Sequence, residues 1–125
     1  MAAIVLVVED DQSIRSLINR MLRSEGHQVV EASDGATALE ILQGMRCDLV
    51  ITDFLMPKLN GIKFVEQFHS LQPKTPIILI TGYLSVVSGT TIIDKVAEVL
   101  AKPFDLTVLQ STVRRMLAPT LDETS

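Results

Sequence analysis

Short apolar runs alternate along this chain with segments in which apolar residues recur every three or four positions. Ala3 to Val8 is a continuous run rich in β-branched residues that stops at Glu9-Asp10-Asp11, as a strand covered on both faces would. From Ser13 the period changes: Ile14, Leu17, Ile18, Met21 and Leu22 form one apolar stripe and predict an amphipathic helix that Gly26 terminates. A strand follows around Gln28 to Glu31, then a helix over Ala36 to Leu42, introduced by Asp34-Gly35 and closed by Gly44. Asp48 to Thr52 reads as the next strand and ends at Asp53. Pro57 and Gly61 then interrupt the chain before a helix whose apolar face is read from Ile62, Val65, Phe68 and Leu71. Pro76 opens a strand over Ile77 to Ile80. Tyr83 to Asp94 predicts only a weak fourth helix, because Gly89 and the β-branched Thr90 to Ile93 are mediocre helix formers. Val96 to Ala101 supplies a fifth strand, and Leu106, Leu109, Val113 and Met116 mark a last amphipathic helix.

Alternation of five strands with five helices predicts an α/β fold: a doubly wound five-stranded parallel sheet with helices on both faces and right-handed crossovers. Function in such sheets gathers beyond the carboxyl ends of the strands. The residues there are Glu9-Asp10-Asp11, Ser33-Asp34, Asp53, Thr81-Gly82 and Lys102-Pro103.

The length of 125 residues suits one domain, set at 1–118, with a polar tail or the start of a linker at 119–125 that is expected to fray. With 47% hydrophobic residues and 21% charged, the chain has apolar material for a core and is not intrinsically disordered. A formal charge of −4 leaves no general basic surface, which argues against direct binding of nucleic acid. The one cysteine, Cys47, cannot form an internal disulfide and reads as a small buried hydrophobe in a reducing compartment. No apolar run reaches membrane-spanning length, and Met1 to Asp10 lacks a secretory pattern. A soluble, cytoplasmic chain without membrane insertion is expected. His27 and His69 have no acidic or cysteine partner at ligand spacing and read as surface residues, and Arg114-Arg115 as a solvated helix face.

Glu9, Asp10 and Asp53 would converge from two strand ends, where like charges repel unless something neutralises them. Oxygen-only ligation suits Mg²⁺. Three carboxylates against a divalent cation and the ammonium of Lys102 make a formally neutral site, poised for an incoming phosphoryl group. Asp53 would be a carboxylate nucleophile of the aspartyl-phosphate type, and Thr81 could donate a hydroxyl hydrogen bond to the product.

Over Ile4 to about Leu117 the chain resembles the receiver domains of two-component response regulators. The resemblance rests on the acid pair in Val7-Val8-Glu9-Asp10, the run Asp53-Phe54-Leu55-Met56-Pro57 with Gly61, the strand end Ile80-Thr81-Gly82, and Lys102-Pro103-Phe104. It implies a flavodoxin-like strand order of 2-1-3-4-5. It also implies that Asp53 accepts a phosphoryl group from a histidine kinase or histidine phosphotransferase. Asp10 would bind Mg²⁺ directly, Glu9 through water, and the Leu55 carbonyl would complete the protein ligands; Thr81 and Lys102 would contact phosphoryl oxygens. Lys102-Pro103 is expected to be cis. Such a protein is a phosphoacceptor with only self-phosphorylation and self-dephosphorylation chemistry, not an enzyme acting on other substrates. It signals through the surface made by the fourth strand, fourth helix, fifth strand and fifth helix, and the last three could also form a homodimer.

Two departures bear on behaviour. Leu55 and Tyr83 hold the positions that tune hydrolysis in the family, and neither favours an attacking water. Val99 stands where receivers usually carry Tyr or Phe, so the signal would travel through Tyr83 to Asp94, with Tyr83 as the moving aromatic.

The acidic loop after the first strand would repel the phosphates of a nucleotide or flavin. A phosphohydrolase would need a general acid where Leu55 stands. The surviving alternative is a receiver-like interaction module that works without phosphorylation.

Overall fold

Strand β1 (Ile4–Val8) is the first apolar run, and Val5, Leu6, Val7 and Val8 are all buried. The computed structural model describes residues 2–56, 59–82, 87 and 89–124. After β1 come helix α1 (Gln12–Ser24), β2 (Gln28–Ala32), α2 (Gly35–Gly44) and β3 (Leu49–Asp53). Two short antiparallel strands follow, β4 (Leu55–Met56) and β5 (Leu59–Asn60), and then α3 (Gly61–Leu71) and β6 (Ile77–Thr81). The chain ends with a 3₁₀ turn at Thr91–Asp94, β7 (Glu98–Ala101) and α4 (Leu106–Thr124).

The main sheet has the order β2-β1-β3-β6-β7 with every neighbouring pair parallel. With the two short strands set aside, this is the expected 2-1-3-4-5 arrangement. Successive strand residues face opposite ways, and both sides are covered. Leu6, Val8, Val50 and Leu79 pack with Ala38 and Leu42 of α2 and Phe64 and Phe68 of α3. Val5, Val7, Ile51, Ile78 and Ile80 pack with Ile18 and Leu22 of α1 and Leu109 and Val113 of α4. Burial on both faces is why the strands read as continuous apolar runs instead of alternating ones.

Helix ends follow local chemistry. The Asp11 carboxylate accepts from the Ile14 N–H at 3.1 Å, and that of Asp34 from the Thr37 N–H at 2.8 Å, capping α1 and α2. Gly26, at φ +87°, closes α1: its N–H donates to the Arg23 carbonyl and that of His27 to the Leu22 carbonyl. That pair of bonds is a Schellman motif, which needs the left-handed residue glycine adopts without strain. Arg114 and Gln110 of α4 reach back to the Glu25 carboxylate, tying the end of α1 to α4.

Two expectations are corrected, the place of Leu71 and the start of the fifth strand. Leu71 is 49% exposed, and the buried face of α3 is Gly61, Phe64, Val65 and Phe68. Ile62, Val65, Phe68 and Leu71 are spaced by three, and at about 100° per residue each step of three drifts by about 60° around the helix; Leu71 therefore ends opposite Ile62. Most of the segment read as a weak fourth helix, Tyr83 to Val86 and Ser88, lies outside the described residues; its described part has Val87 in helical conformation and the Thr91–Asp94 3₁₀ turn, with Val87 and Ile92 buried. Strand β7 begins at Glu98 instead of Val96, although the Ala97 N–H already bonds the Ile77 carbonyl at 2.8 Å. The backbone of α4 continues through Pro119 to Thr124, across the segment read as a polar tail.

Gly61 carries a hard steric requirement. A Cβ there would lie 1.8 Å from the carbonyl oxygen of Phe54, a backbone atom that cannot swing away. Gly61→Ala should lower stability by about 1–3 kcal/mol, read as a lower urea midpoint. The Arg114 guanidinium holds the Glu25 carboxyl below its ordinary value, so this pair stabilises the fold above the unfolded carboxyl pKa and is lost as pH falls through the folded one. Arg114→Ala should therefore melt below wild type at neutral pH, with the gap closing in acid.

Candidate functional site

The switch in strand order falls at β1, whose neighbours are β2 and β3. Register places Val8 beside Thr52, so the residues that follow, Glu9 and Asp53, leave the sheet side by side. Glu9, Asp10 and Asp53 each offer a carboxylate oxygen, and these atoms lie within 4.8 Å of one another. Glu9 is 2% exposed and Asp53 9%, whereas Asp10 faces solvent.

Lys102 arrives from the end of β7. Its Nζ donates to Asp53 Oδ2 at 2.6 Å and to Glu9 Oε1 at 3.0 Å, and its N–H donates to the Thr81 carbonyl at 2.8 Å. The following Lys102-Pro103 bond is cis, as the resemblance implied. Thr81 is buried at the end of β6, one residue beyond Ile80, the partner of Asp53. Past Asp53, the Phe54 N–H donates to the Ile80 carbonyl at 3.2 Å and continues the β3–β6 pairing. Leu55 follows in β4, two residues from Asp53.

The acidic loop is held from several sides. The Glu9 N–H donates to the Ala32 carbonyl at 3.0 Å, and Glu9 Oε2 accepts from the Asp11 N–H at 3.0 Å. Arg15, in the first turns of α1, donates to the Glu9 carbonyl at 2.7 Å and to Glu31 Oε1 at 3.1 Å. Sequence reasoning missed Arg15; the available signal was its place four residues beyond the capping Asp11, within reach of the loop.

Burial lifts the Glu9 carboxyl above its ordinary range; the Asp11 amide and the Lys102 ammonium pull it down, while Asp10 and Asp53 push it further up. Burial alone would lower the Lys102 ammonium, yet its bonds to Asp53 and Glu9 outweigh that and hold it above its ordinary value. Three clustered carboxylate oxygens, without sulfur or imidazole among them, can take a hard divalent cation.

Other expected features lie away from this cluster. His27 is half-buried instead of a plain surface residue, because its Nδ1 accepts from the Ala3 N–H at 3.2 Å and fastens the start of the chain. Arg114 and Arg115 are exposed, as a solvated face requires, but each is paired, with Glu25 and Glu98 respectively. Val99 is half-buried against the α2–α3 side of the core.

A family model described as the response regulator receiver domain matches residues 5–114, and the chain belongs to that family. It therefore belongs among the receiver domains of two-component signal transduction. Response regulator MprA of Mycobacterium sp. strain KMS is 35% identical over 117 residues, which are 93% of this chain and 51% of that protein. The Regulator of RpoS of Escherichia coli K12 is 36% identical over 119 residues, 94% of this chain and 35% of that protein. The chain thus spans about half or less of these relatives' length. Among solved structures, chemotaxis response regulator CheY4 of Vibrio cholerae superposes with a TM-score of 0.85 at 33% identity, covering 94% of this chain and all of that one. Response regulator TrrA of Thermotoga maritima, solved in complex with Mg(2+)-BeF, gives 0.84 at 30% identity, covering 92% and 99%. Among the described residues no helix is long and apolar enough to cross a membrane.

Cys47 is buried and takes no part in the site; burial, helped by the Asp48 charge, pushes its thiol up to about 11. Iodoacetamide at neutral pH should leave the native protein unlabelled by mass and label it once unfolded.

Proposed function

We propose that the chain is the phosphoacceptor of a two-component relay, with Asp53 as the residue that takes the phosphoryl group from a histidine kinase or histidine phosphotransferase. The observation that carries this reading is the Asp53 carboxylate at the carboxyl edge of the sheet, bonded to Lys102 at 2.6 Å inside a triad of acids. In the step, an Asp53 carboxylate oxygen attacks phosphorus, the new O–P bond forms as the P–N bond to the donor imidazole breaks, and the departing nitrogen is left protonated by solvent. Asp10 and Glu9 would hold Mg²⁺, Asp10 directly and Glu9 through water, with Asp53 and the Leu55 carbonyl completing the protein ligands. Bound there, the cation supplies neutralising charge that lets an anionic donor approach three carboxylates. The Mg(2+)-BeF complex of the Thermotoga neighbour supports that assignment.

Lys102 and Thr81 then turn to the phosphoryl oxygens: the ammonium exchanges its bond to Asp53 Oδ2 for one to the new group, and the Thr81 hydroxyl donates to another oxygen. Thr81 ends β6 and Lys102 follows β7, so the charge change is passed to β6, the segment to Asp94, β7 and α4, the surface through which the domain signals and could pair with a second copy. Val99 carries no ring to report the change; movement falls to the Thr81–Lys95 stretch. The chemistry is confined to gain and loss of the chain's own phosphate, in a cytoplasmic setting.

Intact mass after incubation with acetyl phosphate and Mg²⁺ tests the assignment. Wild type should gain one phosphoryl group, while Asp53→Asn should gain none and Asp10→Ala should lose Mg²⁺ binding; normal uptake by Asp53→Asn would overturn the reading, and no uptake by wild type, with unchanged hydrogen exchange over Thr81–Lys95, would favour a phosphorylation-independent module. Loss of the phosphate should be slow, since the Leu55 side chain cannot hydrogen-bond an attacking water and Tyr83 is bulky. Replacing Leu55 by Asn together with Tyr83 by Glu should speed decay of the phosphorylated species.

A further inference from the structure

The loop that presents Glu9 and Asp10 leaves the sheet where its pairing stops. Register between β1 and β2 ends at Val8 opposite Ala32, and the Glu9 N–H makes one more bond to the Ala32 carbonyl. At the same residue the Glu9 carbonyl accepts from a side chain, the guanidinium of Arg15, at 2.7 Å. Arg15 is itself fixed. Its Nε donates to Glu31 Oε1 at 3.1 Å, Glu31 Oε2 accepts from Asn19 at 2.5 Å, and Asn19 accepts from Arg23, so a ladder at four-residue spacing along α1 grips the outer side of β2. Only 18% of the Arg15 side chain is exposed. A planar fork with separated donors can hold a carbonyl and a carboxylate together, which a single ammonium does less well.

We infer that Arg15 is a positioning residue for the cation site: by holding the Glu9 carbonyl against β2 it sets the direction in which Glu9 and Asp10 leave the strand, and so the placement of their carboxylates. This rests on the reading of Glu9 and Asp10 as cation ligands. Arg15 is the wrong charge to help a cation directly. Were its contribution only electrostatic, removing a positive charge beside the acids would tighten Mg²⁺ binding. A positioning role has the opposite sign, because partners that orient metal ligands typically cost 10–100-fold in affinity when removed.

Calorimetric titration of Mg²⁺ into the full chain separates the two. Arg15→Met, which keeps much of the aliphatic stem, and Arg15→Ala should both bind Mg²⁺ more weakly, by roughly ten-fold for the alanine variant, with far-UV circular dichroism showing the fold retained. Arg15→Lys should recover part of the loss through its remaining donor. If the alanine variant does not fold, the methionine variant decides. Affinity equal to or above wild type in a folded Arg15→Met protein overturns the inference. Asp10→Ala serves as the control for the underlying reading: a wild type that binds Mg²⁺ no better than Asp10→Ala overturns the cation site itself, whereas loss in Asp10→Ala without loss in Arg15→Met overturns only the role of Arg15.

Discussion

Repulsion among three carboxylates is the constraint from which the rest of this molecule can be understood. With their oxygens within 4.8 Å of one another, each pair of unit charges repels by roughly 3 kcal/mol at the effective dielectric near a protein surface. A flexible loop would relieve that by moving apart. Here it cannot, because Glu9 and Asp53 are set by adjacent central strands whose side chains are locked in both faces of the core. The compensating ammonium comes from Lys102, 49 residues beyond Asp53, and can reach the acids only if the whole sheet is assembled in order. Fold and site are therefore coupled: the sheet holds the charges together, and the lysine that eases their repulsion also ties β7 to them.

Much of this was legible in the sequence because it rests on long-range pattern. The buried central strands leave apolar runs such as Leu49–Ile51 and Ile77–Ile80 whatever covers them, and the site residues follow such runs closely. Failures occurred where spacing was short or drifted. Two-residue strands such as β4 and β5 carry no period to detect. A three-residue spacing put Leu71 in the core and overlooked Phe64, although Gly61, Phe64, Val65 and Phe68 follow the i, i+3, i+4, i+7 pattern of a buried stripe. The contact of Arg15 with the Glu9 carbonyl was missed for a different reason: its spacing from Asp11 put it within reach of the loop, but the pattern of residue types does not say which backbone group a side chain bonds.

Helix α1 links these levels. Asp11 caps it and, through its own N–H, also holds Glu9 Oε2, so the bonds that start the helix are the bonds that shape the acidic loop. One turn on, Arg15 secures the Glu9 carbonyl, and at the far end Glu25 is gripped by Arg114 of α4. Apolar burial of Ile18, Met21 and Leu22 fixes the helix between these two ends. A disturbance of the loop is thus resisted by a helix packed along its whole length, which is the arrangement expected where ligands must stay in place while charge is added.

The opposite side of the site is built differently. Every residue of β3 is buried, whereas Glu98, Val99 and Leu100 of β7 are only half-buried and Ala101 is exposed. As an edge strand, β7 has one neighbour, β6. Fewer buried contacts mean a lower free energy for local rearrangement. The acids therefore stand on the rigid half of the sheet, while Lys102 stands at the end of the half with least to lose by moving. On the proposed reading of Asp53 as phosphoacceptor, a change of charge there would alter its bond to Lys102 first, and the asymmetry in packing would direct the response outward through β7 instead of back through β1 and β3.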